Sequence, residues 1–385
     1  MTESPSTAGA RAEIVVDLAA IMRNVAALKR RADGALMMTV VKADGYGHGI
    51  VQAARAARAG GADWLGVAFA EEALRLREAG DTGPVLAWLA VPGEDYTRLL
   101  AAGVDVTAYT LAELAEIEAA AGRVGATARV QLKVDTGLNR GGATLASWAH
   151  LVEAAAEAER RGRVRVTGVW SHFACSDEPG HPANDMQEQE FRWALEVAEA
   201  GGLRPEVRHL ANSAAAITRP SSRFDLVRCG IASYGLSPGP ELGTAGDLGL
   251  VPAMTVQGRL AVVKRAPAGS GISYGHTYVT DRATTVAVVP AGYGDGVLRH
   301  ASSRAKVLVG GRQRVIAGRV CMDQFVVDLG DDEATPGDEV VLFGTGEHGE
   351  PTAQDWADAC GTISYEIVTR IGGRMPRRYV GTEDM

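Results

Sequence analysis

At 385 residues the chain is longer than one hydrophobic core usually serves, and an apolar content of 46% is ample to fill two, so a soluble protein of two domains is predicted. A net charge of −8 with no Lys/Arg block argues against binding to nucleic acid, whose phosphates would repel the chain, and no stretch suggests a membrane partner. Cys175, Cys229, Cys321 and Cys360 form no C-x-x-C pair and give no zinc-ligand spacing, so no metal is expected and a reduced, cytoplasmic setting is the simplest inference.

In chain order, the opening residues are rich in Ser, Thr and Ala without a basic start or an apolar core, which predicts a flexible tail over 1–11 and no signal peptide. An apolar run at 36–41 then leads straight into Lys42 and the loop Ala43-Asp-Gly-Tyr-Gly-His-Gly49. An amine at the tip of a buried strand is partly desolvated, which lowers its pKa and makes it nucleophilic, as Schiff-base chemistry requires. The same residues also suit a lysine that snorkels to solvent before an ordinary turn. Further apolar runs follow at 64–68, 85–89, 105–108, 129–134, 164–170, 207–210 and 226–228, with amphipathic helical stretches at 50–59, 71–79, 111–121, 145–161 and 187–200 between most of them. Alternation at the spacing of a βαβ unit predicts an α/β fold, an N-terminal (β/α)8 barrel over 12–245, with a doubly wound open sheet as the runner-up. No G-x-G-x-x-G follows any of these strands, which weakens the dinucleotide-binding form of that alternative.

Chemistry in such a barrel collects where strands end. Lys42 follows the first strand, Lys133 and Asp135 close the fifth, and Ser171 and His172 close the sixth. Asn212 and Ser213 follow the seventh, and Arg228, Gly230 and Ile231 end the eighth. Each has a plainer reading: Asp135 and Ser213 as helix N-caps, His172 as a satisfied core histidine, Arg228 as a salt-bridged surface residue. Jointly they point to one rim. Past residue 248 the helical pattern stops, and short β-type runs at 254–264, 284–289, 306–309, 314–317, 325–328 and 339–343 take over, with Gly310-Gly311 reading as a hairpin turn. A C-terminal mostly β domain over 246–385 is expected, entered through a linker that begins at Pro238-Gly-Pro240. Within it, Ser273-Tyr-Gly-His-Thr-Tyr278, Gly292-Tyr-Gly-Asp-Gly296 and Cys321-Met-Asp323 are too particular for plain scaffold.

Together these segments resemble the alanine racemase family over essentially the whole chain, from about Ala12 to Tyr379. The specific match is Val41-Lys-Ala-Asp-Gly-Tyr-Gly-His-Gly49, which looks like that family's cofactor-attachment motif. Supporting matches are Lys133-Val-Asp-Thr-Gly137 with Arg140, Ser171-His-Phe173, Asn212-Ser213, Val227-Arg-Cys-Gly-Ile-Ala-Ser-Tyr-Gly235, Ile272-Ser-Tyr-Gly275, Cys321-Met-Asp323 and Ile363-Ser-Tyr-Glu-Ile367.

The resemblance implies pyridoxal 5′-phosphate as cofactor, attached at Lys42, with its phosphate held by Tyr46, Ser213, Tyr365 and the backbone of Gly230 and Ile231. Arg228 would face the pyridine nitrogen, with His172 and Asn212 beside the cofactor. It implies interconversion of L- and D-alanine by two bases, Lys42 acting on the D enantiomer and Tyr274 on the L enantiomer, with D-alanine passing to peptidoglycan. Arg140, Met322 and Asp323 would receive the substrate, and Lys133 would be carboxylated on its amine so as to orient Arg140. Gly137-Leu-Asn-Arg140 departs from the Met-Gly that family members often carry before the arginine, so a local difference in backbone is expected. Tyr274, Met322 and Asp323 would serve the partner subunit's site in a head-to-tail homodimer, and Tyr293, Tyr365 and Tyr274 would crowd the entrance in favour of a small side chain. A broad-specificity amino-acid racemase, a non-catalytic cofactor-binding protein and a lyase or decarboxylase on the same barrel are the alternatives. Tyr274 speaks against the last two, since neither needs a base on the second face.

Overall fold

A computed structural model describes residues 10–383, which form two compact units. One is a barrel unit of residues 21–45 and 50–250; the other is a β-rich unit of residues up to 20, 46–49 and from 251 onward. Of the tail expected over 1–11, residues 1–9 lie outside the described residues. Arg11 is anchored instead of free, because its guanidinium donates to Asp295 Oδ1 at 2.6 Å and to the Pro290 carbonyl.

The first strand, β1 (Ala12–Asp17), belongs to the β-rich unit. The barrel is built from β2 (Leu36–Val40), β3 (Trp64–Val67), β4 (Val85–Ala87), β5 (Asp105–Ala108), β6 (Ala128–Lys133), β7 (Val164–Trp170), β8 (Val207–His209) and β9 (Leu226–Cys229). They lie in the order β8-β7-β6-β5-β4-β3-β2-β9, and every pairing is parallel. The remaining seam is closed by Asp225 N–H to Arg208 O at 3.0 Å and Arg228 N–H to Ala211 O at 2.9 Å, so the sheet is a cylinder and the open-sheet alternative is set aside. These strands read as near-continuous apolar runs because a parallel sheet covered by helices is buried on both faces. Met38, Trp64, Leu86, Val207 and Leu226 pack together as part of that interior.

The helices between the strands begin and end where local chemistry dictates. Thr110 Oγ1 accepts from Glu113 N–H at 3.2 Å while Glu113 Oε2 accepts from Thr110 N–H at 3.0 Å, a reciprocal cap that starts Leu111–Val124 and is worth about 1 kcal/mol. Gly125, at φ +65°, ends it in a left-handed residue that glycine adopts without steric cost.

The β-rich unit contains β10 (Met254–Arg259), β11 (Val262–Ala266), β12 (Gly271–Ile272), β13 (Tyr278–Val279), β14 (Thr284–Val289), β15 (Lys306–Val309), β16 (Arg312–Val315), β17 (Phe325–Gly330), β18 (Glu339–Phe343) and β19 (Arg377–Val380). A six-stranded sheet runs β16-β15-β18-β10-β1-β19, beside a three-stranded sheet β11-β14-β17 and the β12-β13 ribbon. Gly310 and Gly311 both take positive φ, +57° and +73°, and form the expected tight turn between β15 and β16. β1 falls within the segment 12–245 read as barrel, yet it pairs antiparallel with β10 and parallel with β19. Its partners lie more than two hundred residues away, so local periodicity carries no trace of them. Among the described residues no helix is long and apolar enough to cross a membrane, and no cluster of three or more His, Cys, Asp or Glu side chains could hold a metal ion.

Candidate active site

Beyond β2 the chain does not make an ordinary turn. Ala43, Asp44 and Gly45 take φ/ψ of 53/51°, 53/45° and 65/43°, and Tyr46 has φ +52°, so four consecutive residues are left-handed. Each non-glycine there costs about 1–2 kcal/mol, and only Gly45 escapes the penalty. Side-chain bonds hold the turn in place. Glu72 Oε1 accepts from Ala43 N–H at 2.7 Å, and Asp44 Oδ1 accepts from Ile50 N–H at 3.0 Å and from Arg75 at 3.1 Å. Strain maintained in this way marks a place where side-chain direction matters, and the side chain that it aims is Lys42. Lys42 is half-buried with its Nζ 5.9 Å from the centre of the Trp88 ring. Burial, and then the charge of Arg140, lower its pKa, with Glu72 opposing.

Other cations surround the same barrel mouth. Lys133, buried at the end of β6, lies 5.1 Å over the Tyr109 ring and 4.7 Å over the Trp170 ring. Burial, then Arg140 and Arg228, lower its pKa to about 8 against an opposing pull from Asp135. Arg140 is exposed, and Asn139 before it takes φ +55°, a conformation that glycine adopts freely and asparagine better than most. Asp135 Oδ1 secures this bend by accepting from Gly137 N–H at 3.0 Å and Asn139 N–H at 3.1 Å. Arg228, buried on β9, donates to the carbonyls of Ser171 at 2.7 Å and Leu210 at 3.0 Å, and its Nη2 lies 3.2 Å from His172 Nδ1. Burial and then Arg228, Arg140, Lys133 and Lys42 drive the His172 pKa well below its ordinary value, so the ring is neutral. Lys42, Lys133, Arg140 and Arg228 have no carboxylate within 4 Å among the described residues.

The chain after β8 and β9 adds a small polar cradle. Asn212 caps the helix Ser213–Thr218, its Oδ1 accepting from Ala215 N–H at 3.2 Å and from Ser176 Oγ at 2.8 Å. Ser213 Oγ accepts from Gly230 N–H at 2.9 Å, and Ile231 opens the turn Ile231–Tyr234 that follows. Lys42, Lys133, Arg140, His172, Asn212, Ser213, Arg228, Gly230 and Ile231 therefore all belong to the barrel unit.

The remaining expected residues belong to the β-rich unit. Tyr46 and Tyr365 face each other with ring centres 6.3 Å apart, and Gly47 lets the loop approach the helix Ser364–Arg370 so closely that a Cβ there would sit 2.2 Å from the Val368 carbonyl. Tyr274 is 70% exposed, presented by a turn that Ser273 braces through Oγ to the Arg319 carbonyl at 2.7 Å. Met322 and Asp323 sit on a lip tied to the 292–296 loop by Tyr293 N–H to Cys321 O at 3.0 Å and Gly294 N–H to Met322 O at 2.8 Å. Asp323 Oδ1 accepts from Arg374 at 2.7 Å.

Several residues of the rim are invisible to motif reading. His209, whose Nδ1 lies 2.9 Å from Arg228 Nη1, ends the strand Val207–His209 without any motif to mark it. Trp88, Tyr109 and Trp170 wall the two lysines, but isolated aromatics read as core.

Comparison with known proteins bears on the whole chain. The family profile "Alanine racemase, N-terminal domain" matches residues 16–238, and "Alanine racemase, C-terminal domain" matches 253–379. The chain is 58% identical over 377 residues to the alanine racemase of Frankia casuarinae, covering 98% of each protein, and 59% identical over 370 residues to that of Thermobifida fusca, covering 96% and 98%. It is similar to the crystal structure of alanine racemase from D-cycloserine-producing Streptomyces lavendulae, with TM-score 0.96, 55% identity and 98% coverage of both chains. With both halves matched and a desolvated lysine at the barrel mouth, the chain belongs to the alanine racemase family.

Proposed function

We propose that the chain is an isomerase that interconverts L- and D-alanine with the help of pyridoxal 5′-phosphate. The fit to that cofactor rests on the barrel rim. A phosphate dianion suits the Ser213–Gly230–Ile231 cradle, an aldehyde suits the desolvated amine of Lys42, and a pyridine nitrogen suits Arg228, a donor that does not give up its proton. Lys42 would hold the cofactor, with Tyr46, Ser213, Tyr365, Gly230 and Ile231 at its phosphate and His172 and Asn212 beside it. When bound, the cofactor supplies a conjugated ring that accepts the electron pair left as the substrate's Cα–H bond breaks.

Inversion needs a proton to leave one face of Cα and another to arrive on the opposite face, so two proton carriers are required. Lys42 Nζ, whose pKa burial and the charge of Arg140 lower, serves one. Tyr274 Oη serves the other. Its exposure suits a phenol offered outward to the site of a second copy in a homodimer. Phe69, Leu89, Val91 and Leu111, exposed apolar residues on the rim beyond β3, β4 and β5, suit coverage by such a copy. Arg140 would bind the substrate carboxylate together with Met322 and Asp323 supplied by the second copy. Lys133, neutral in part at physiological pH, can add through Nζ to carbon dioxide with loss of a proton, and the resulting carbamate would orient Arg140. The D-alanine formed would feed peptidoglycan synthesis in the cytoplasm.

The observation that carries this reading is the desolvated Lys42 amine beside its strained turn, its pKa lowered by burial and by the charge of Arg140. Deuterium exchange at Cα tests it. Tyr274→Phe should keep exchange from D-alanine and lose it from L-alanine, and Lys42→Ala should lose both; equal loss from the two enantiomers in Tyr274→Phe would sink the face assignment.

A further inference from the structure

Arg228 is tied, on the side away from His172, to a line of buried side chains that crosses the barrel interior. Arg228 Nη1 meets His209 Nδ1 at 2.9 Å, His209 Nε2 meets Gln131 Oε1 at 2.7 Å, and Gln131 Nε2 donates to Asp105 Oδ2 at 3.3 Å. Asp105 also accepts from Thr167 Oγ1 at 2.7 Å and, through Oδ1, from Arg129 Nε at 2.7 Å. His209, Gln131 and Thr167 are completely buried, and Asp105 and Arg228 nearly so. Polar groups in that position cost stability relative to an aliphatic core unless every one is satisfied, so a set this complete calls for a use beyond packing.

The backbone is shaped to admit this line. Gly168 leaves room for Gln131, since a Cβ there would lie 2.7 Å from Gln131 Oε1. The β6–β7 register shifts by one residue between Val130 and Gln131, an irregularity that lets both Gln131 and Thr167 reach Asp105.

The proton positions follow by elimination. Asp105, paired with Arg129, is a carboxylate and only accepts, so Gln131 must turn its NH2 toward Asp105 and its carbonyl toward His209. A carbonyl only accepts, so His209 carries its proton on Nε2. The lone pair on Nδ1 is then free to take the Arg228 Nη1–H. Burial and the charge of Arg228 keep His209 neutral, and the Trp170 ring lies parallel to it at 5.7 Å and 4°. A carboxylate placed directly on Nε2 would instead favour the imidazolium, whose Nδ1–H would oppose Arg228.

We propose that Gln131, backed by Asp105, is a positioning residue: it locks His209 in the Nε2–H tautomer and so gives Arg228 a neutral acceptor that keeps the guanidinium aimed at the cofactor's ring nitrogen. This rests on the role given to Arg228 above. The test compares Gln131→Glu, combined with Asp105→Asn, and Gln131→Met in the cofactor-loaded enzyme labelled with 15N-histidine, the His209 signal being identified by its loss in His209→Asn. Wild type should show His209 as Nε2–H without titration between about pH 6 and pH 9. Gln131→Glu combined with Asp105→Asn, so that the new carboxylate does not face a second one, should show a His209 protonated on Nδ1, a shifted visible absorption of the cofactor, and pyruvate from abortive transamination raised on the order of tenfold per racemisation turnover. Gln131→Met, of similar volume but without the acceptor, should populate both tautomers and lie between. Should neither variant fold, Asp105→Asn should likewise mix the tautomers by releasing the Gln131 amide to flip. An unchanged His209 tautomer in these variants overturns the relay itself. A changed tautomer with unchanged absorption and transamination overturns the role of Arg228, and the coupling with it.

Discussion

The barrel rim and the β-rich unit handle charge in opposite ways. At the rim, Lys42, Lys133, Arg140 and Arg228 gather with no carboxylate within 4 Å among the described residues, and the pKa values of Lys42, Lys133 and His172 are pushed down by burial and by neighbouring cations. In the β-rich unit, Asp295 is fully buried and satisfied on every side: Arg11 donates at 2.6 Å, Arg374 at 3.0 and 3.1 Å, and Gly292 N–H at 3.0 Å, while Arg374 also holds Asp323. Matched charges stabilise a fold, and unmatched cations raise its free energy until an anion arrives. The contrast therefore separates the residues that hold the molecule together from those that wait for ligand, and each experiment below presses on one side of it.

The largest effect falls on the unmatched side. Lys42→Ala should lower alanine racemisation by about 10³-fold or more, since an acid–base group worth 10²–10⁴ and the cofactor's point of attachment disappear together. The folded state should be as stable as wild type or more so, because a partly buried amine is removed. A parallel fall in activity and melting temperature would contradict the separation. Arg228→Glu, in the same region, should raise abortive transamination relative to racemisation, read as pyruvate against D-alanine.

On the matched side, Asp295→Ala should cost about 1–2 kcal/mol of stability, measured by chemical denaturation, because it strands the Gly292 N–H while leaving Arg11 and Arg374 partly open to solvent. Burial raises the Asp295 pKa, but the bonds from Arg11, Gly292 and Arg374 outweigh it and hold the carboxyl below its ordinary range. Its contribution is therefore present above the unfolded-state pKa of about 4 and is lost as pH falls through the lower folded value. The variant should lose less stability on acidification than wild type.

The two regions were not equally legible. Barrel strands announce themselves because both faces are apolar, and Lys42, Lys133, His172 and Arg228 were found by standing at strand ends. The pairing of β1 with β10 and β19 could not be read, since a strand's period tells which face is buried and nothing about which distant strand it joins. The left-handed turn at Ala43–Tyr46 defies the preferences of its own residues and is imposed by Glu72 and Asp44 contacts that only the folded chain assembles. Gln131 and Asp105 lie inside runs that scan as ordinary barrel strand, and Arg11 sits in a stretch whose composition reads as tail.

A smaller effect concerns Lys133. Its pKa near 8 in the folded chain against 10.5 unfolded means that the unfolded state binds more protons between those values, so stability should rise as pH increases from about 8 to 10.5. In bicarbonate-free buffer, wild type should show that slope and Lys133→Met should not. Adding bicarbonate should flatten the wild-type slope by converting the amine to an anion that Arg140 can face. A slope equal in both proteins would show that Lys133 is not the group responsible.

The smallest expected change tests whether the bend before Arg140 belongs to the scaffold or to the site. Asn139 at φ +55° is tolerated partly because Asp135 receives its N–H, and alanine would keep that bond yet bear the full steric cost of the left-handed region, about 1 kcal/mol. Asn139→Gly should remove the steric cost while gaining disorder in the unfolded chain, leaving stability within a few tenths of a kcal/mol of wild type. If the bend serves mainly to aim Arg140 at the substrate carboxylate, Asn139→Ala should raise KM for alanine more than it lowers kcat, and Asn139→Gly should leave both near wild type. A loss of stability in Asn139→Ala with KM unmoved would assign the bend to the scaffold, and Arg140 would then owe its direction to Lys133 alone.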